Sequence, residues 1–275
     1  MRYFNTEGPV KPEKHYCVPP LDRVNLDEIR TMIGRKKYFV LHAPPQTGKT
    51  TTLKARADRL NSSGAYHCLY ITVAGGHTAR GNVAVAVRRV LSEIALRASI
   101  SLRDESLRAR REEVLAHEPP TTALTPILAG WCAAATRPVV LLVDEIAALV
   151  GDSLLSLRRQ MRSGYGLRPG HFPQSVILCG LRDMRDYEIH SSEQGTNVSE
   201  AGAFNIKAKS LRLGDFSEGE VRAPLAQHTA ETGQEFEAGT KERVWELNCG
   251  QPWLANALTR QACFDDEDGL SASPP

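Results

Sequence analysis

Residues 43–51 read Ala-Pro-Pro-Gln-Thr-Gly-Lys-Thr-Thr, and no other segment constrains the fold as strongly. They follow the apolar run Tyr38-Phe39-Val40-Leu41 and precede the helix-prone stretch Leu53–Leu60. A strand, a tight loop, a Lys-Thr pair and a helix, in that order, form the context of a phosphate-binding loop. A loop that feeds a helix N-terminus points several unpaired backbone N–H groups at one spot, and the helix dipole adds positive potential there. Pro45, Gln46, Thr47, Gly48, Lys49, Thr50 and Thr51 are therefore the candidate nucleotide-binding positions. Lys49 is expected to reach the β- and γ-phosphates. The Thr50 hydroxyl is expected to join the shell of Mg²⁺, which takes a few protein oxygens plus phosphate oxygens and water. Gly48 lets the backbone come close without a Cβ. Ala43 stands where the pattern G-x-x-x-x-G-K-[ST] has its first glycine. Pro44 and Pro45 have no N–H to donate and stiffen the start of the loop.

A second half of such a site needs a carboxylate. Residues 139–145 read Val-Val-Leu-Leu-Val-Asp-Glu, a continuous apolar run of the kind a strand buried on both faces shows. It ends in Asp144, which places that carboxylate at the carboxyl edge of a sheet, where open α/β folds bind ligands. Asp144 is the candidate magnesium-side carboxylate, acting through a bound water, and Glu145 the candidate general base for the attacking water. The alternative for Asp144 is a cap on the next helix. A third strand fits Ser175–Cys179. Arg182 follows just beyond it, placed to sense a γ-phosphate by bidentate contact or to pair with Asp183 or Asp186. Arg185 is a second candidate. Cys249-Gly250-Gln251-Pro252 reads as a helix–helix connection, with Gly250 ending one helix and Pro252 in the first turn of the next.

Taken together, these residues resemble the STAND branch of the AAA-related P-loop ATPases. Val176–Asp183 resembles that family's strand ending in a nucleotide-sensing arginine, Asp144-Glu145 its Walker B acids, and Gly250-Gln251-Pro252 its G-x-P motif in a helical lid. Phe4–Val10 with Tyr16–Pro20 resembles the lead-in that helps enclose the adenine. The resemblance spans residues 4–263. It implies an α/β P-loop NTPase with an AAA-like parallel sheet sandwiched by helices and a small all-helical C-terminal lid. It also implies ATP with Mg²⁺ as ligands, and a role for Pro252 near base and phosphates. Relatives usually continue into a winged-helix module, whereas this chain stops soon after Phe264. A minimal module, a truncated relative and one half of a two-gene system all remain open.

The 275 residues and 41% hydrophobic composition suit one α/β domain plus a small helical appendage. Net charge is +2, so overall electrostatics make no case for nucleic acid. The run from Arg103 to Glu113 alternates in sign, as a solvated helix face does. Six cysteines at 17, 68, 132, 179, 249 and 263 form no C-x-x-C pair, which favours free thiols in a reducing compartment. The eight histidines show no ligand spacing, and His42 is expected to close its strand. The polar N-terminus lacks a signal-peptide core, and the longest apolar run is far too short for a bilayer, so a cytoplasmic protein is expected.

Along the chain, residues 1–35 form the lead-in, with a helix over Leu26–Ile33 capped by Asn25 or Asp27. Residues 36–212 form the ATPase core, 213–264 the helical lid and 265–275 a disordered tail. Tyr66–Val73 is a strand broken by Gly75-Gly76. Val83, Val87, Val90 and Ile94 mark a core-facing helix. A helix from Glu105 to Ala116 ends at Pro119-Pro120, and Thr121 or Thr122 starts the next. Ser153–Met161 is helical, 187–203 reads as a long surface loop, and Phe204–Ala208 as a last strand. Ser217 and Glu220 form a capping box for a lid helix to about Ala230. Two further helices are expected at Lys241–Leu247 and Trp253–Phe264.

Four functions fit these features to different degrees. The first is an ATPase switch, with a protein partner or self-association as its output. The second is a non-hydrolysing nucleotide-binding scaffold that recruits a protein partner. A small-molecule kinase is disfavoured by the Asp-Glu pair, which suits water activation. DNA loading of the origin-recognition kind is disfavoured by the near-neutral charge.

Overall fold

A computed structural model describes residues 1–23, 26–79, 81–182 and 207–265. The chain divides into two compact units. One comprises Met1–Leu26, Ala43–Ala55 and Leu213–Pro275; the other comprises Asp27–His42 and Arg56–Arg212.

The second unit holds a five-stranded sheet. Its strands are β3 (Tyr38–His42), β4 (His67–Thr72), β5 (Val139–Asp144), β6 (Ser175–Gly180) and β7 (Lys207–Arg212), in the order β4-β5-β6-β3-β7, with every pairing parallel. Parallel strands need crossovers, which cover both faces of the sheet, and a doubly covered strand must be apolar throughout. β5 and β6 obey this, each buried along its whole length. Because all strands run the same way, their carboxyl ends share one edge. β3 lies between β6 and β7, so the chain leaving β3 must cross the sheet to begin β4 at the far edge. Such a break in strand order opens a crevice at the carboxyl edge.

Helices α1 (Leu26–Gly34), α3 (Val83–Arg97), α4 (Ser106–His117), α5 (Pro120–Ala134) and α6 (Asp152–Ser163) belong to this unit, while α2 (Lys49–Ser62) runs from the loop into it. The periodic residues of α3 pack as expected: Val87, Val90 and Ile94 are buried in the cluster that includes Leu69, Ile71, Trp131 and Leu178, with Val83 against it. Asn82 caps α3, its side chain accepting from Val85 N at 3.1 Å. Of α4 only Leu107 is buried, in keeping with its alternating charges. Trp131 Nε1 donates to Asp104 Oδ2 at 2.7 Å, tying α5 to the turn before α4.

Several boundaries differ from expectation, among them the end of the last α-helix, at Arg260 rather than Phe264, and two have a plain physical reason. α5 starts at Pro120 with Pro119 as its cap residue, rather than at Thr121 or Thr122. Proline's fixed φ suits the first helical position, where an N–H would have no partner anyway. The last strand, described over Lys207–Arg212, runs four residues past its expected end at Ala208. β7 is the sheet edge beside β3, where charged residues are tolerated and a continuous apolar run is not required. Phe204–Ile206, the expected loop 187–203, Asn25 and the tail beyond Asp265 lie outside the described residues. Asp27 sits in the first turn of α1.

The first unit joins the lead-in to the C-terminal helices. β1 (Tyr3–Phe4) and β2 (His15–Tyr16) form a parallel pair, and α7 (Glu218–Thr232), α8 (Thr240–Asn248) and α9 (Pro252–Arg260) follow β7. Phe4, Tyr16, Val221, Leu225, Val244, Ala255 and Cys263 form its core. Polar contacts reinforce it. Gln227 bonds both backbone groups of Cys17, and Trp253 Nε1 donates to Thr6 O at 2.9 Å. The Ser217–Glu220 capping box is present at the start of α7.

Candidate functional site

The loop between β3 and α2 has its conformation set by two left-handed residues, Gln46 (φ 60) and Gly48 (φ 88), one on each side of the buried Thr47. Backbone of this kind turns successive N–H groups inward to make an anion-binding concavity. Ala43 keeps an ordinary negative φ, so an alanine serves where the usual pattern has glycine. The prolines contribute acceptors rather than donors. Pro44 O accepts from Thr47 Oγ1 at 2.9 Å and from Lys49 Nζ at 2.5 Å, and Ala43 O accepts from Lys49 Nζ at 2.8 Å. Lys49 is the first residue of α2, and Thr50 and Thr51 continue its first turn, where backbone N–H groups have no intrahelical partners.

The lead-in reaches this loop at two points. Val10 N donates to Thr51 Oγ1 at 3.1 Å. The Arg23 guanidinium donates to Thr47 O and to Gly214 O, and its carbon lies 4.4 Å from the centre of the Phe216 ring. Burial lowers the Arg23 pKa from its ordinary value, against the opposing pull of Glu220 and Asp215. A Cβ on Gly48 would come within 2.9 Å of that guanidinium. Phe216 N in turn donates to Gly250 O at 2.7 Å. Gly250 has φ 84, and a Cβ there would lie 2.1 Å from Phe216 O, so only glycine fits. Gln251 caps α9 and Pro252 is its first residue. The phosphate loop, Arg23, the 214–216 segment and the Gly250–Pro252 turn thus form one bonded series. The two ends of this series are legible in the sequence, whereas Arg23 has no signature in a single sequence beyond its place after Pro19-Pro20.

The lead-in and α9 also line a cavity of about 500 Å³, among whose walls are Asn5, Lys11, Lys14, His15 and Arg260. His15 is buried, which lowers its pKa, and its Nδ1 accepts from Lys11 N at 2.9 Å.

In the other unit, Asp144 ends β5 and is 1% exposed. Its Oδ1 accepts from Glu145 N at 2.9 Å and its Oδ2 from Tyr70 OH at 3.0 Å. Glu145 is exposed and left-handed (φ 58, ψ 40), a strained conformation for a residue with a side chain, of a kind concentrated at functional sites. It turns the chain out of the sheet into the short 3₁₀ segment Ile146–Ala148. Arg182 is exposed two residues past the end of β6, the strand paired with β5. Asp183, Arg185 and Asp186 lie outside the described residues.

Residues 31–187 match a family described as AAA domain. The chain belongs to that AAA family. Its fold is that of the AAA-type P-loop ATPases, a nucleotide-binding fold. Among solved structures, the chain is similar to the Walker-type ATPase PABY2304 of Pyrococcus abyssi, at 12% identity and a TM-score of 0.62, covering 94% of this chain and 71% of that one. It is similar to the ORC1 protein of Aeropyrum pernix, solved in complex with DNA, at 15% identity and a TM-score of 0.51, covering 88% of this chain and 58% of that one. It is similar to Cdc6p of Pyrobaculum aerophilum at 14% identity and a TM-score of 0.53, covering 88% and 61%. The AAA chain thus spans less than two thirds of the ORC1 and Cdc6p structures, and at these identities the likeness is one of fold. No curated protein matches the sequence. Among the described residues, no helix of this AAA protein is long and apolar enough to cross a membrane.

Proposed function

We propose that this AAA protein binds ATP with Mg²⁺ and hydrolyses it, working as a nucleotide-dependent switch of the STAND kind. The observation that carries this reading is the loop itself. Gln46 and Gly48 curl it at the start of α2, and the Lys49 ammonium is held by the carbonyls of Ala43 and Pro44. An ammonium that satisfies itself on its own loop can exchange those carbonyls for phosphate oxygens without leaving a buried charge unpaired. The donor set suits the metal as well: a threonine hydroxyl and a buried carboxylate are the hard oxygen ligands Mg²⁺ takes.

In this reading Pro45 to Thr51 cradle the phosphates and Lys49 neutralises the γ-phosphate. Thr50 and Asp144 hold the magnesium side, Glu145 orients and deprotonates the attacking water, Arg182 senses the γ-phosphate, and Pro252 lies against the nucleotide. Mg²⁺, when bound, would supply charge neutralisation on the phosphate oxygens. The series Thr47–Arg23–Gly214–Phe216–Gly250 supplies a path by which the loop's state reaches α9. A protein partner or a second copy is the proposed reader of that state, in the cytoplasm. The ORC1 relative was solved with DNA, so duplex DNA belongs among the partners tested.

Lys49→Ala is expected to lower affinity for a fluorescent ATP analogue at least a hundredfold. Glu145→Gln is expected to keep that affinity while losing turnover. Undiminished affinity in the first variant removes the loop from the reading, and undiminished turnover in the second removes Glu145 as the base. A protein that binds ATP tightly and releases no phosphate, with or without DNA, would be the scaffold instead.

A further inference from the structure

Tyr70 is a half-buried residue on β4, two positions before the strand's end. β4 and β5 pair in register, with Tyr70 opposite Leu142 and Thr72 opposite Asp144. Successive side chains alternate faces, so Tyr70 and Thr72 share one face, and the long phenol reaches diagonally across to Asp144. Its hydroxyl meets Asp144 Oδ2 at 3.0 Å, while Glu145 N meets Oδ1 at 2.9 Å.

We propose that Tyr70 is a positioning residue for metal-dependent nucleotide binding, holding the Asp144 carboxylate in the orientation from which it meets the magnesium shell. This rests on the assignment of Asp144 to that shell. The terminal torsion of an aspartate is broad, with no deep staggered well to fix it. The Glu145 amide grips one oxygen and the Tyr70 hydroxyl the other, which pins the carboxylate plane from both ends. Asp144 is nearly fully buried, and in such low-dielectric surroundings a hydrogen bond to the carboxylate is stronger than in water. The Glu145 amide is fixed by the backbone, whereas the Tyr70 hydroxyl is a pin that a side-chain change removes. Outer partners of this sort typically alter metal affinity by about tenfold or more.

The test measures the affinity of the full chain for a fluorescent ATP analogue in EDTA and in saturating Mg²⁺. The ratio of the two is the gain due to metal. Wild type, Tyr70→Phe, Asp144→Asn and the double variant are compared, with melting temperatures taken on the same samples. Tyr70→Phe keeps the ring and should leave the EDTA affinity unchanged while cutting the metal gain about tenfold. In the Asp144→Asn background it should cut nothing further, because its effect passes through that carboxylate. Three results overturn the proposal: a wild-type metal gain in Tyr70→Phe while Asp144→Asn loses it, additive losses in the double variant, or equal loss of affinity with and without metal. A wild-type gain in Asp144→Asn would instead show that Asp144 is not on the metal side, and Tyr70's role would fall with it.

Discussion

Arg23 shows what a single side chain can do in this fold. Its fork donates to two carbonyls from distant parts of the chain, Thr47 in the phosphate loop and Gly214 after β7, and its carbon lies over Phe216. Arg23→Ala removes both bonds and the stacking. ATP affinity, measured by titration calorimetry, is expected to fall about tenfold, the equivalent of about 1.4 kcal/mol, which is within the range for the net worth of a hydrogen bond. Arg23→Lys is expected to rescue little, since an ammonium cannot present a planar fork. Wild-type affinity in Arg23→Ala would disconnect the residue from the loop's geometry. Gly250 is a second such position. With φ 84 and Phe216 O at 2.1 Å from any Cβ, Gly250→Ala must displace backbone rather than a flexible side chain. A loss of about 3 kcal/mol in urea unfolding is expected, from strain and steric conflict together. A change below about 0.5 kcal/mol, the range of ordinary surface substitutions, would contradict the close approach.

At the scale of elements, what could be read in advance depended on how strongly burial constrained each segment. β5 and β6 lie inside the sheet between other strands, so they had to be apolar at every position, and their bounds were legible. β7 lies at the edge, and Lys207-Ala208-Lys209-Ser210-Leu211-Arg212 carries no such pattern, so the strand was expected to end too soon, at Ala208. Proline chemistry explains the start of α5, where Pro120 occupies the first helical position. The Ser217–Glu220 box was legible because the motif is local and both hydrogen bonds form within one turn: Glu220 N donates to Ser217 Oγ and Ser217 N to Glu220 Oε2. Ser217→Ala is expected to cost about 1 kcal/mol. In a chain of this size that lowers the melting temperature by about 2–4 °C. An unchanged melting temperature would mean that α7 is held by its packing alone.

Over the whole molecule, the phosphate loop, the acidic end of β5 and the turn before α9 were legible because each is a short run with fixed spacing. Arg23 and the Tyr70–Asp144 bond were not, because each joins residues far apart in sequence through contacts that leave no local pattern. The thiols offer a probe of the fold as a whole. Burial pushes Cys132 up to about 12 and Cys263 up to about 11, and raises Cys68 further still, while Cys249 is exposed in the turn before Pro252. The thiolate is the reactive form, so an aromatic disulfide reagent near pH 8 should modify Cys249 first. Cys68, Cys132, Cys179 and Cys263 should react only on unfolding, and their early reaction would contradict the core described above. The central claim is that this AAA protein turns over ATP at the Lys49 loop, and steady-state phosphate release from Mg-ATP tests it most directly. Release by the wild-type protein that disappears in Lys49→Ala is the predicted result. Release that persists unchanged in Lys49→Ala, or none from the wild-type protein alone, with DNA or with a second copy in excess, would contradict it.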